Sequence, residues 1–367
     1  MSAINALDVL PTSGTPAYSL KIDGADITGK IEERLISLTL TDNRGFEADQ
    51  LDIELDDSNG TLELPRRGVS IAVSLGWKDS ALVDKGTFTV DEIEHSGAPD
   101  KLVIRARSAD FRATLNIQRE ASYHQKTIGD IIKTIASRHK LTPAIHKNMA
   151  DVVISHIDQT NESDASFMTR LAKENGAIVT VKKGSLLFFR QGQNQTVSGK
   201  PIPLAVITRS LGDGHQFSIT DRAAYTGVVA NWLNTRTAKA QPVKVKRKRK
   251  KTANKSAAKP EEKQGEYLAG SDENVLVLRH TYASKYNAER AAKTNWERLQ
   301  RGVATFSIQL ARGRADLYPE APVAVSGFKR QIDEAKWTLV TVTHSLNGSG
   351  FTTSLDLEVK IDELEME

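Results

Sequence analysis

Apolar and polar residues alternate with a period of two at both ends of this chain, which predicts half-buried antiparallel strands. Tyr18, Leu20 and Ile22 alternate before an Asp23-Gly24 turn. Ile36, Leu38 and Leu40 follow the same rhythm. Leu51, Ile53 and Leu55 then interleave with Asp52, Glu54 and Asp56, an apolar face beside an acidic one. Residues 67–107 read as strand, Gly-aromatic, charged loop, strand, His-Ser, turn, strand. The markers are Val69, Ile71 and Val73, then Gly76-Trp77, then Phe88, Val90 and Ile93, then His95-Ser96. Residues 321–359 return to that order with Val323 and Val325, Gly327-Phe328, Trp337, Leu339 and Val342, and His344-Ser345. Recurrence at nearly equal offsets predicts two related β units in one chain.

Between them the period lengthens to that of helices. Ile128, Ile131, Ile132, Ile135 and Ala136 share one face after Thr127, whose hydroxyl can accept from the third helical N–H while Asp130 meets the positive helix end. Phe167, Met168, Leu171 and Ala172 mark a second helix that starts at Ser163 and is stopped by Asn175-Gly176. A hairpin follows, with Ile178, Val179 and Val181 before Lys182-Lys183-Gly184 and an apolar return over 186–189. Strands resume at 204–208, 217–219, 224–234 and 275–280. A helix over 287–301 carries Ala288, Ala291, Ala292, Trp296 and Leu299 on one side, and a strand at 305–310 leads into the second copy. The expected fold class is mainly β with an α/β insert: a first β unit at 1–111, an α/β insert domain at 112–198, and a second β unit at 199–367 interrupted by a basic flexible loop at 239–266.

Composition narrows the chemistry. A length of 367 residues suits two to three domains. The absence of cysteine excludes disulfides, thiolate metal sites and a Cys nucleophile. No apolar run approaches the ~18 residues of a membrane span, and the first residues lack a basic-then-apolar leader, so a soluble protein without membrane insertion is expected. The formal net charge of +4 conceals a segregation. Residues 239–263 hold eleven Lys/Arg against two Glu, and removing that local excess of nine leaves the rest of the chain at −5. This segment has few large apolar residues, which predicts a mobile loop. Its densest part, Lys244, Lys246, Arg247, Lys248, Arg249, Lys250 and Lys251, can contact a polyanionic partner or surface, or simply solubilise the loop. It contains no aromatics to stack bases, so specific nucleic-acid binding is not expected. The acids Asp49, Asp52, Glu54, Asp56 and Asp57 read as a solvated strand face. The eight histidines include no HExxH, and phosphate-binding glycine loops and a nucleophile elbow are missing. No catalytic residue, metal site or cofactor is therefore expected.

Four stretches carry a family resemblance: LTLTDNRGFEADQLDIELDD (38–57), FTVDEIEHSGAPDKLVIRARSADFRATLN (88–116), IDQTNESDASFMTRLAKENGA (157–177) and VAVSGFKRQIDEAKWTLVTVTHSLNGSGFTTSLDLEV (323–359). They closely resemble the late control protein D family, the baseplate hub proteins of contractile phage tails and R-type pyocins. More distantly, they resemble the N-terminal hub portion of VgrG proteins. The match runs nearly end to end, and the basic loop is its least constrained part. The resemblance implies two tail-tube-like antiparallel β-barrels plus a small α+β domain, in a homotrimer that presents six barrels in a ring. Such a ring would meet a six-fold tail tube protein on one side and a three-fold central spike protein on the other. The tape-measure protein and then DNA would pass through its channel, and other baseplate wedge proteins would dock around it. The implied location is the virion tail baseplate, assembled in the host bacterial cytoplasm. The chain stops at Glu367 without a needle or lysozyme-like region, so the spike is expected to be a separate polypeptide. Two other readings stand beside this non-enzymatic one. One is a tail-associated cell-wall-degrading enzyme, which needs a paired-carboxylate cleft. The other is a nucleic-acid-binding protein acting through the basic loop.

Overall fold

A computed structural model describes residues 14–108, 113–182, 184–192, 194–219, 225, 227–234, 239–246, 275–282, 285–301 and 304–359. Thirteen strands join in one sheet among these residues. In its first half, Pro16–Ile22 pairs with Ser70–Trp77, and the sheet continues through Val83–Ser96, Lys101–Ser108, Gln50–Asp56 and Leu35–Asp42, all antiparallel. The second half repeats the order strand for strand: Ala205–Thr208, Pro322–Ser326, Trp337–Asn347, Gly350–Val359, Ala304–Leu310, Gly212–Ile219. One pairing departs, because Ala205–Thr208 lies parallel to its neighbour. The sequence repeat covers three strands; the structural one covers six.

Two irregularities recur in equivalent places, whereas the register shift at Val73/Ser74 has no counterpart in the second copy. Register shifts fall at Val90/Glu92 and at Leu339/Thr341 in equivalent strands, and at Leu35/Ser37 and Gly212/Gly214 in another equivalent pair. Counting from these bulges, His95 and His344 occupy one position, and Leu40 and Phe217 another. The Gly-aromatic pairs differ in role: Gly76 pairs within a strand, whereas Gly327 turns out of one at φ +89°.

Period-two alternation sends every other side chain to one face. Leu38, Leu40, Leu51, Ile53, Ile71, Val73, Phe88 and Ile104 make the first core, and Phe306, Ile308, Val323, Trp337, Leu339, Val342 and Leu355 the second. Each such side chain is worth about 1.5–3 kcal/mol relative to exposure. A slip of one residue would turn the whole set outward, so this burial also holds the register.

The halves are continuous. Leu35–Asp42 pairs antiparallel with the C-terminal half of Trp337–Asn347, from Val342 opposite Asp42 to Asn347 opposite Ser37. The two related β units are present, but among the described residues neither closes into a barrel. The strand at the end of the first unit bonds to the second unit instead of returning to Pro16–Ile22, and the sheet runs open from Ala25–Asp26 to Gly212–Ile219.

The α/β insert has its own core, built from Ile128, Ile131, Ile132, Ile135, Phe167, Met168, Leu171, Val179 and Phe188. Helix Ile128–Arg138 starts with the expected capping box: the Asp130 N–H donates to Thr127 Oγ1 (3.0 Å), and the Asp130 carboxylate accepts from the Thr127 N–H (3.4 Å). Helix Asp164–Glu174 is capped by Ser163 and is followed by Gly176 at φ +62°. Ala177–Lys182 and Ser185–Arg190 form the hairpin, with Thr142–Ile145 added in parallel.

A second, smaller insert stands where the first unit has only the loop 43–49. Strand Gly227–Asn234 runs between Lys239–Lys246, antiparallel, and Val275–Tyr282, parallel, while helix Lys285–Arg301 packs Ala288 and Ala292 against Val228 and Ala230. The flexible loop expected at 239–266 is corrected over its first eight positions. Val243 and Val245 alternate with Lys244 and Lys246, and the register sets them opposite the buried Ala230 and Val228. Positions 247–266 lie outside the described residues. No helix among the described residues is long and apolar enough to cross a membrane.

Candidate functional site

The joint between the β units is built from both copies of the repeat. Leu38 and Leu40 stand opposite Leu346 and His344. His344 is wholly buried, with Nδ1 3.0 Å from Thr353 Oγ1. Burial, reinforced by the positive charge of Lys85, holds this imidazole far below its ordinary range, at about 2, so the ring is neutral. Residues 311–321 of the second unit lie over the first. Trp77 Nε1 donates to the Gly313 carbonyl (3.0 Å), its ring lies tilted against Phe351 (5.5 Å between centroids), and Arg312 sits 4.2 Å above it. A Cβ at Gly313 would fall 2.5 Å from the Phe351 ring, so this approach requires glycine. Lys85 Nζ donates to the Leu317 carbonyl (3.1 Å).

A polar seam ties the α/β insert to this joint. Lys182, on the insert hairpin, pairs with Asp42 (2.9 Å) and with Asp49. Two carboxylates share one ammonium in a largely buried place, so burial and the charge of Asp42 push the Asp49 carboxyl up to about 6. Arg44 donates to Glu358 (2.8 Å) and to the Leu339 carbonyl (3.2 Å), and also pairs with Glu320. Arg190 reaches Glu297 at 2.9 Å, which links the insert to helix Lys285–Arg301. A cavity of about 900 Å³ opens between the insert hairpin and the two β units, lined by Ile145, Ile178, Leu187, Phe189, Lys182 and Tyr318 among others. Of its ionic groups, Lys182 pairs with Asp42 and Asp49 across the seam, an arrangement that orients the insert on the β units.

One polar cluster has the residue types of a nucleophilic triad. Asp164, fully buried, accepts from Arg138 (2.8 Å) and Gln159 (2.9 Å) and lies 2.7 Å from His139 Nε2, while His139 Nδ1 lies 2.9 Å from Thr114 Oγ1. Burial pushes the Asp164 carboxyl up, but hydrogen bonds from Gln159, His139 and Arg138 outweigh it and hold it below the usual carboxylate range. Arg138 neutralises Asp164, which stands in the first turn of its helix, where negative charge is favoured. The cluster anchors two helices to each other. His124 and His156 stack at 4.4 Å, with His156 Nε2 2.9 Å from Asp158. Among the described residues, no group of three or more His, Asp or Glu is arranged to hold a metal ion.

Sequence reasoning placed its candidate contacts on the basic run. Lys244 and Lys246 stand on strand Lys239–Lys246, opposite Val229 and Gly227. Arg247, Lys248, Arg249, Lys250 and Lys251 lie outside the described residues. The joint itself was missed as a site; its one sequence signal is the paired His95-Ser96 and His344-Ser345.

The chain matches the family described as Phage tail baseplate hub (GPD) over residues 34–350. It is 57% identical over 372 residues to the probable baseplate hub protein of Escherichia phage P2, covering 96% of this chain and 95% of that one. Its fold is similar to that of the 43 kDa tail protein of prophage MuSo2 from Shewanella oneidensis, with a TM-score of 0.65 at 13% identity, over 94% of this chain and 98% of the other. It is also similar to the E. coli c3393 protein, a type VI secretion component with structural similarity to T4 tail proteins gp27 and gp5. There the TM-score is 0.55 at 13% identity, over 94% and 77% of the two chains.

Proposed function

Because the chain belongs to the phage tail baseplate hub (GPD) family and is thus a structural hub of a contractile phage tail, we propose that it acts as a homotrimeric adapter between a six-fold tail tube and a three-fold central spike. The observation that carries this reading is the strand-for-strand doubling of the β unit, with two register shifts in equivalent places. Three copies of a doubled unit offer six near-equivalent surfaces to one neighbour and keep three-fold symmetry toward the other. The partners in this reading are the tube protein, the spike protein, the tape-measure protein and surrounding baseplate proteins, met during assembly in the host cytoplasm. DNA passes through a central channel without sequence-specific contact. The work is positional, and no catalytic step is required of the chain.

Size-exclusion chromatography with light scattering, run with and without the spike protein, tests the stoichiometry. The expected mass is that of three copies, alone or on the spike. A chain that stays monomeric in both conditions, or six copies of it in the corresponding layer of an assembled tail, would overturn the adapter.

A further inference from the structure

Strands Gln118–Thr127 and Val153–Ser163 of the α/β insert pair with each other in a two-stranded antiparallel ribbon. One position of this ribbon brings two imidazoles together. His124 and His156 stand directly opposite each other in the register, and both are exposed. Their Nδ1 atoms lie 3.0 Å apart. The two residues are 32 positions apart in the chain, so no short spacing motif announces the pair.

The partners of His156 fix where its lone pair stands. Its Nε2 lies 2.9 Å from Asp158 Oδ2. A carboxylate can only accept, so Nε2 carries the proton and the neutral ring keeps a bare lone pair on Nδ1. Asp158 is held in turn by Ser122, which stands opposite it and donates from Oγ to Oδ1 (2.6 Å). The hydrogen bond from Ser122 holds the Asp158 carboxyl below the usual carboxylate range, so it remains an ionised acceptor. Ser122, Asp158 and His156 therefore form a chain in which a carboxylate orients an imidazole and makes its free nitrogen more basic. Metal-ligating histidines are supported in the same way. In the contact between the rings, His124 Nδ1–H is then the donor.

Two nitrogens bound to one divalent ion at about 2.0–2.1 Å stand roughly 2.9–3.4 Å apart, the short end belonging to a right-angled bite and the long end to a tetrahedral one. The Nδ1 separation lies at the short end, which suits the tetragonal preference of nickel(II) and copper(II). We propose that His124 and His156 chelate such an ion through their Nδ1 atoms, with Asp158 as the positioning residue behind His156 and water in the remaining coordination places. The ion replaces the Nδ1 proton of His124, which leaves to solvent as Nε2 of the same ring takes one up, so both ligands are neutral. The rings lie at 21° to each other, and a turn about Cβ–Cγ, open to exposed side chains, brings both lone pairs onto the ion. The clip ties together the two strands that lead into the capped helices Ile128–Arg138 and Asp164–Glu174.

Calorimetric titration of the full chain with nickel(II) chloride, in a buffer that does not bind the metal, tests the site. Saturable binding of one ion per chain is expected, and either His124→Ala or His156→Ala should abolish it. Asp158→Asn should weaken it by about tenfold or more while keeping the stoichiometry. All three side chains are exposed, so the metal-free urea midpoints should match the wild type, and His124→Gln and His156→Gln should repeat the loss with the side-chain bulk retained. Nickel should raise the wild-type thermal midpoint and leave that of the histidine variants unchanged. No saturable binding, or equal affinity in the wild type and both histidine variants, would overturn the chelate. Unchanged affinity in Asp158→Asn would overturn the positioning role of Asp158.

Discussion

His344 and His95 occupy one position of the repeat with opposite fates, which makes the residue scale testable by pH. His344 is buried and neutral, its folded pKa depressed to about 2. As pH falls below the ordinary imidazole range, the unfolded chain takes up a proton that the folded chain refuses. This contribution to stability is complete above about 6.5 and shrinks by up to about 1.4 kcal/mol per pH unit below it. Asp49 has the reverse sign. Its folded pKa is raised to about 6, so its contribution is present at low pH and is lost as pH rises from about 4 through 6. Comparing wild type with His344→Gln isolates the histidine: in urea titrations at pH 7 and pH 5, the wild type should lose about 2 kcal/mol more than the variant on acidification. Equal losses would mean that His344 protonates in the folded state. At this scale the sequence marked the pair His95 and His344 as equivalent but held no sign of which one is covered. Nor did it reveal Asp164, whose partners come from the end of one helix (Arg138 and His139) and from a strand (Gln159).

Caps and turns were the most legible elements, because their chemistry is local. The box at Thr127 and Asp130 needs only residues three apart, and the structure forms it as read. Thr127→Ala should lower stability by about 1 kcal/mol, and Thr127→Ser should keep most of it, as measured by the urea midpoint at unchanged slope. A loss shared equally by both variants would place the effect elsewhere than in the cap. Lys239–Lys246 was misread because its charge density resembles disorder, while the alternation of Val243 and Val245 is too short a signal until Gly227–Asn234 supplies a partner. The six-strand repeat was legible only over its last three strands. The other members of each unit are separated by unequal loops and inserts, and their equivalence appears only in pairing order and bulge position.

For the whole molecule, the continuous sheet is the consequential feature. Because Leu35–Asp42 bonds the second unit as well as its own, the two β units should unfold as one cooperative transition. Leu40, buried at the joint, reports on this coupling: Leu40→Ala should cost about 2–5 kcal/mol and shift the shared calorimetric transition of both units together. Two separated transitions, with only one displaced, would mean that the units are independent domains.

By itself, the sequence determined the strands, the capped helices, the doubling of a β unit and, through long matching blocks, the hub family. Each of these rests on a periodicity, a local hydrogen bond or a run of residue identities. Only the tertiary structure decided that the units share a sheet and that, among the described residues, neither closes on itself. The physical reason is that period-two alternation specifies which face of a strand is buried but not which strand lies beside it. Lateral neighbours are chosen through backbone N–H and C=O groups that are alike at almost every position, and their pairing is resolved only when the whole chain is folded.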